Sequence, residues 1–337
     1  MTLRSSFENY AMNRRSLLGA AGAALAFQPA WSQAQPNWPN RPVRMVVPTG
    51  PGSSLDLIIR ATSDRLAARL GQPIVVDNRP GAGGLIGTDA IAKATDGHTF
   101  GISFNGPLAF APFLYQKMPY RLPDDLAPIV MTTSQPNVLA VNARLPINSV
   151  AELVKWLRAN VGKASFASIG NGSSSHLSME LLKVATGTFA LHIPYNGSPP
   201  SALSVASGET QMIMTVAPAL LPHVQAGRVR LLAVTSRSRY KALPELPTLA
   251  ESGLPELRDF EAIAWNAIVG PASTPAAVVE RLNREFNDAL GDGTVSERLT
   301  GQGMTPTGGS PQDLARLMAD EARRWGPVIR RTGLTLG

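Results

Sequence analysis

The 337-residue chain contains no cysteine. That removes disulfide frameworks, thiolate metal sites and cysteine nucleophiles from consideration, and it is compatible with an oxidising compartment, where a free thiol is a liability. Aromatic residues make up only 6%, too few for the stacking platforms of single-strand nucleic-acid binders. Charged residues are 16% against 44% hydrophobic, a balance that supports a buried core and argues against intrinsic disorder. No run of five or more basic residues occurs, so the net charge of +7 predicts a surface attracting anions and no nucleic-acid partner. No apolar run is long enough to cross a bilayer.

Recognisable enzyme motifs are missing as well. There is no Gly-Lys-Ser/Thr of a P-loop and no Gly-x-Ser-x-Gly elbow. His98, His176, His192 and His223 follow no metal spacing. Gly81-Ala-Gly83 with Gly84 and Gly87 imitates a dinucleotide fingerprint, but it follows the second strand and its last glycine is displaced by one. No catalytic residues, metal or cofactor are expected.

Glycine (30) and proline (28) are instead plentiful, above their combined average of about 12%, and without a repeat period. They predict many tight loops between regular elements. The length predicts about two domains.

The first residues carry an address. Arg14-Arg15-Ser16-Leu17-Leu18 precedes a short, weakly apolar, Ala/Gly-rich run, and Ser32-x-Ala34 offers small residues for cleavage after Ala34. This is the layout of a secretory signal. The arginine pair resembles a twin-arginine export signal, with the Sec route as the alternative, and Met12 is a second possible start. Removing residues 1–34, which hold three arginines and one glutamate, lowers the net charge from +7 to +5. A periplasmic protein is expected.

Beyond the leader, strand and helix alternate. Val43–Val47, Pro73–Asp77 and Thr99–Ser103 read as strands, separated by helices at Leu55–Leu70 and Leu85–Ala94. The pattern restarts at Val138–Val141 and continues through strands near 164–167, 191–193, 211–214 and 230–235. Further helices follow Ser149, His176 and Pro199. A Pro/Glu-rich stretch, 243–255, precedes an apolar strand over 262–269 and three helices, which return to the first domain. The resulting expectation is an α/β fold of two lobes, each a mostly parallel sheet flanked by helices. Lobe I takes residues 35–133 plus 260–337, and lobe II residues 134–259. Two lobes with two crossings, near 132–136 and 236–260, make a hinge around a cleft.

In open α/β sheets, ligands sit beyond the carboxyl ends of strands, at helix N-termini. Four loops at such positions share one composition: 49–54, 81–84, 168–175 and 195–198. Each is rich in Gly or Ser, opens a helix and contains neither Lys nor Arg. They offer backbone N–H groups, hydroxyls and the positive end of a helix dipole, which suits an anion such as a carboxylate. The candidate ligand-binding residues are Thr49, Gly50, Gly52, Ser53, Ser54, Asp56, Gly83, Asn105, Ser168, Gly170, Gly172, Ser173, Ser174, His176, Tyr195, Asn196, Gly197 and Thr215. Asp56 also suits a dipole partner and a brace for the loop before it.

Several segments occur in order across nearly the whole mature chain: Val46-Val47-Pro48…Pro51-Gly52-x-x-x-Asp56, Val76-Asp-Asn-Arg-Pro-Gly-Ala-Gly-Gly84, Leu114-Tyr-x-Lys-x-Pro-Tyr120, Ala167-Ser-x-Gly170-x-Gly-Ser173-x-x-His176, His192-x-Pro-Tyr195-x-Gly197, Leu232-Ala-Val-Thr235 and Leu246-Pro-Thr248. With these the chain resembles the Bug-type periplasmic solute receptors of tripartite tricarboxylate transporters. The resemblance implies a Venus-flytrap fold of type II topology and a monomer. It also implies a small organic acid held by the first loop and the Ala-Ser-x-Gly-x-Gly-Ser loop, often through ordered waters, and delivered to membrane permease subunits. A binding protein that reports a carboxylate to a membrane sensor kinase is the alternative with the same chemistry. Three positions depart from the family pattern. Ser53 stands where a second glycine is usual, Leu55 stands where a hydroxyl residue is usual, and Thr215 stands where an aspartate is common. The loss of that acid argues for a plain mono- or dicarboxylate over an amino acid.

Overall fold

A computed structural model describes residues 38–336; the export signal expected over 1–34 lies outside the described residues. The chain begins with β1 (Val43–Val47), α1 (Ser54–Leu70), β2 (Ile74–Asn78), α2 (Leu85–Ala92), β3 (Thr99–Phe104) and, after a π turn and a 3₁₀ turn over 106–113, β4 (Leu126–Pro136). It continues with β5 (Val138–Asn142), α3 (Val150–Ala159), β6 (Ser165–Ser168), α4 (Ser174–Thr186), β7 (Leu191–Pro194), α5 (Ser198–Ser207), β8 (Met212–Thr215), α6 (Leu221–Gln225) and β9 (Val229–Val234). It ends with β10 (Ile263–Pro271), α7 (Ala276–Gly291), α8 (Gly293–Thr300), β11 (Thr305–Pro306) and α9 (Pro311–Thr332).

The strands form two sheets, ordered β11-β4-β10-β3-β1-β2 and β7-β6-β8-β5-β9. In the first, β1 pairs in parallel with β2 and β3, while β10 runs antiparallel to both β3 and β4. Strands β1 to β4 therefore all point one way. In the second, β6 pairs in parallel with β7 and β8, and β5 runs antiparallel to β8 and β9, so β6 to β9 point one way. Both sheets share one plan: mostly co-directional strands, with one reversed strand inserted at the same place. That strand is, in each sheet, the first one the chain makes after crossing over. The first sheet adds the short edge strand β11, also antiparallel to β4.

The sequence expectation for β1 holds residue for residue, and most other boundaries shift by one to three residues. Strand β4 was not anticipated. It remains in the first sheet up to Pro136, where the sequence suggested a connector. Its polar residues Thr132, Thr133 and Gln135 hide the strand pattern, yet all three are buried. The 106–113 turns were missed because Gly106, Pro107 and Pro112 give no helical periodicity.

Period-two alternation builds the core of the second sheet. On β5, Leu139 and Val141 join the large hydrophobic cluster, while Val138 and Ala140 face a smaller one with Ala202, Val205 and Ile213. Helices cover both faces, so every residue of β5 is buried. The C-terminal helices pack on the first sheet. Arg69 of α1 pairs with Glu285 of α7 at 2.7 Å, and Asn283 of α7 donates to the Ile129 carbonyl of β4 at 2.8 Å.

Two chain crossings lie side by side between the sheets. Asn137, between β4 and β5, donates its amide to Thr235 Oγ1 at 2.8 Å, and the Thr235 amide donates to the Asn137 carbonyl at 3.0 Å. Thr235 also accepts the Ala262 amide at 2.9 Å and gives its hydroxyl proton to the Ala262 carbonyl. This knot joins the two crossing segments at one level.

Candidate ligand-binding site

The loops at the carboxyl ends of the strands meet across the gap between the sheets, largely through bare backbone. A Cβ placed on Gly50 would lie 3.3 Å from the Asn196 carbonyl oxygen, and one on Gly197 would lie 3.4 Å from the Gly50 nitrogen. A Cβ on Gly106 would lie 3.0 Å from the Gly172 carbonyl oxygen. Loop 49–54 thus faces loop 195–199, and 81–84 with Gly106 faces 170–173.

Beneath these contacts is a cavity of about 20 Å³ lined by Ser54, Leu55, Phe104, Asn105, Gln135, Asn137, Ile169, Ser174, Thr215, Val216, Ala264, Trp265 and Asn266. That volume holds about one water molecule. None of the lining residues is charged. Two helices begin there, one from each sheet: Ser54 and Leu55 open α1, and Ser174 opens α4. The first N–H groups of a helix have no intrahelical partner, and the helix dipole concentrates positive potential at that end. Several polar side chains around the cavity are also unspent. Asn105 Oδ1, both amide atoms of Gln135, and Thr215 Oγ1 are buried and without a hydrogen-bond partner among the described residues. Buried polar groups are normally paired, and three residues lining this cavity are not.

The side chains nearest the helix starts are caps. Ser53 Oγ accepts the Asp56 amide at 3.4 Å and shares a hydrogen bond of 2.6 Å with Thr49 Oγ1. Ser53 therefore spends its side chain on its own helix and is not among the lining residues. Ser173 behaves alike, accepting the His176 amide at 3.3 Å and donating to the Gly170 carbonyl at 2.7 Å. Asp56 is buried and holds loop 49–54 in place. Its carboxylate accepts from the Gly52 amide at 2.9 Å, from Arg60 Nε at 2.9 Å and from Asn78 Nδ2 at 3.1 Å. Burial works against its ionisation, but these three donors outweigh it and keep the carboxyl below its ordinary range.

His176 stands behind the cavity. Its Nδ1 accepts the Gly172 amide at 3.1 Å, and its ring stacks on His192 at 3.7 Å between centroids. His176 Nε2 lies 3.7 Å from Glu180 Oε1, which Lys183 also meets at 2.7 Å. His192 bonds Ser168 Oγ at 2.6 Å. Burial and the neighbouring His176 press the His192 pKa down to about 3. Phe166 completes the stack at 4.9 Å from His192. Ser168 also accepts the Gly170 amide at 3.1 Å, so the histidines buttress loop 168–175 from behind.

Of the candidates read from the sequence, Ser54, Asn105, Ser174 and Thr215 line the cavity. Gly50, Gly83, Gly170, Gly172, Asn196 and Gly197 form the contact between the loops. Gly52 packs toward Pro199 and, with Thr49, Ser53 and Asp56, shapes the first loop. Ser168, Ser173 and His176 support the second-sheet loop, while Tyr195 packs into the smaller hydrophobic cluster behind it. Leu55, Phe104, Gln135, Asn137, Ile169, Val216, Ala264, Trp265 and Asn266 were not foreseen. Gln135, Asn137 and Asn266 come from β4, the first crossing and β10, and only the pairing of those strands brings them to the loops. Asn137 donates to Ser174 Oγ at 2.9 Å and to Ser178 Oγ at 3.0 Å, tying the crossing to α4.

The chain shares this architecture with known proteins. It is 38% identical to protein BugT of Bordetella pertussis, over 96% of this chain and 100% of that one. The structure of R. palustris Rpa4515 with adipate matches with a TM-score of 0.84 and 36% identity, covering 88% of this chain and 99% of that chain. MatC from Rhodopseudomonas palustris with bound malate matches with a TM-score of 0.82 and 29% identity, covering 87% and 100%. Residues 58–334 match the family model for the tripartite tricarboxylate transporter family receptor, and the chain belongs to that family of periplasmic solute-binding proteins.

Proposed function

We propose that this protein holds a small organic carboxylate between its two sheets and delivers it to a membrane permease. One observation carries the binding half: two helix N-termini, one from each sheet, open onto one cavity that has unpaired buried amide and hydroxyl groups and no charged side chain. Neutral donors backed by helix dipoles bind a carboxylate and release it when they are drawn apart. The adipate and malate named for the two structural relatives support the same ligand class. Delivery to a permease rests on the family.

The lobes in this reading divide where the crossings lie, at Asn137 and between Thr235 and Ala262. The described conformation is a closed one, because loop backbones touch across the sheets, and its cavity has to widen to seat a dicarboxylate. Entry requires the loops to part about the Asn137–Thr235 knot. Export would use residues 1–34, with Gln35 as the first residue of the mature protein, which N-terminal sequencing of the periplasmic form reads directly.

The test is a thermal-shift screen against mono-, di- and tricarboxylates, since a ligand bound only by the native state raises the melting temperature by mass action. At least one small carboxylate should do so. A rise with neutral or cationic solutes and with no organic acid would overturn the reading.

A further inference from the structure

The cavity contains one atom whose need is unambiguous. Asn105 Nδ2 donates to the Ile263 carbonyl oxygen at 3.1 Å. A carbonyl only accepts, so this bond fixes which way the amide faces. Oδ1 of this lining residue is left buried, without a partner among the described residues. An amide oxygen cannot donate, so it has to be met by an O–H or N–H. An ionised carboxylate and an unsubstituted carbon chain offer neither. The anchoring bond lies within the first sheet, since Asn105 follows β3 and Ile263 begins β10, its neighbour. Opening the cleft leaves it in place.

We propose that Asn105 selects a carboxylate bearing a hydroxyl group, a hydroxy acid, over the same acid without it. This deepens the carboxylate reading and rests on it. An ammonium group is the other donor of similar size. No lining residue is anionic and both helix ends present positive potential, so an ammonium here would be buried without a counter-charge. A hydroxyl carries no such cost. Gln135 and Thr215, both unpaired on the same cavity, supply donors for the carboxylate oxygens, leaving Asn105 Oδ1 to the hydroxyl.

Titration calorimetry on the exported protein with matched acids tests this: lactate against propionate; L-malate against succinate and L-aspartate; and 2-hydroxyglutarate against glutarate. In the sets that bind, the hydroxy acid should be tighter by about tenfold or more, the usual consequence of leaving one buried acceptor unmet. Aspartate should do no better than succinate. In Asn105→Leu, close in volume and without the amide, the ratio should fall to about threefold or less by the same arithmetic. Equal affinities in the wild type would overturn the proposal while leaving the carboxylate reading intact. So would a preference that survives in Asn105→Leu, or an amino acid that binds best. Binding by no acid in any set would overturn this inference, and the thermal-shift screen against the wider range of carboxylates decides the reading beneath it. Should Asn105→Leu fail to fold, the wild-type ratios still decide.

Discussion

Gly83 faces Asn171 so closely that a Cβ on the glycine would lie 1.9 Å from the Asn171 carbonyl oxygen. Reciprocally, a Cβ on Gly170 would lie 3.0 Å from Gly83 Cα. Loops from the two sheets therefore close on each other backbone to backbone, and Gly83 also takes a left-handed φ of 62°.

Gly83→Ala should thus hinder closure while sparing each lobe. The added methyl meets backbone, which cannot rotate away, and alanine in this conformation costs about 1 kcal/mol on its own. Ligand affinity should fall by about tenfold or more, a loss of about 1.4 kcal/mol or above. Small-angle scattering at saturating ligand should give a larger radius than the wild type. Unchanged affinity and radius would show that these loops do not meet in the bound state.

Thr215→Val and Ser173→Ala should separate binding from capping. Thr215 has a buried hydroxyl without a partner among the described residues, so its isosteric removal should leave the melting temperature unchanged or raised and weaken the ligand by about tenfold. The Ser173 hydroxyl is engaged with His176 N and the Gly170 carbonyl. Its loss should cost about 1 kcal/mol of stability with a smaller change in affinity. Denaturant melts and calorimetry on the two variants check the contrast, and the reverse pattern would reassign the two residues.

Asp56→Asn should destabilise the protein by about 2 kcal/mol at neutral pH, the scale of hydrogen bonds to a charged group. The carboxyl of Asp56 is held below its ordinary range, so its contribution is present above the unfolded pKa and is lost as pH falls through the folded one. The difference between wild type and Asp56→Asn should therefore shrink below about pH 4, near the ordinary aspartate pKa. Urea melts across that range test it, and a gap that persists in acid would mean the carboxylate's charge is not what holds the loop.

His192 adds a second acid dependence. Its pKa in the folded protein is pressed to about 3, against about 6.5 when unfolded. Between those values the unfolded chain binds the extra proton, so stability is fully present above about pH 6.5 and declines on acidification by up to about 1.4 kcal/mol per pH unit. His192→Gln should flatten that slope between about pH 6 and 4, as the titrating group is gone. A slope equal to that of wild type would place the titration elsewhere.

The sequence made the alternation of strand and helix legible because most elements obey one period. Val43, Met45, Val46 and Val47 are apolar and buried, with Arg44 alone exposed, close to what a strand covered on both faces requires. Ser149 announces its helix by capping, accepting the Glu152 amide at 3.1 Å. Thr132-Thr133-Ser134-Gln135 obeys no such period, since its polar side chains are buried for reasons that lie in other strands. Asn266 of β10 donates to Thr133 Oγ1 at 2.8 Å across 133 positions of sequence.

By itself, then, the sequence determined the α/β class, the family and the four Gly/Ser loops that open helices, because capping, turn formation and periodicity act over a few residues. It did not determine which of those serines face a ligand. Ser53 and Ser54, or Ser173 and Ser174, are neighbours of one composition, yet in each pair the first caps its helix and the second lines the cavity. Only the tertiary structure decided this. The helix fixes the direction of each side chain, and the crossing strands bring Asn105, Gln135 and Thr215 to the same wall from positions 110 residues apart. Hydrogen-bond satisfaction is a property of that whole assembly, which no local stretch of sequence contains.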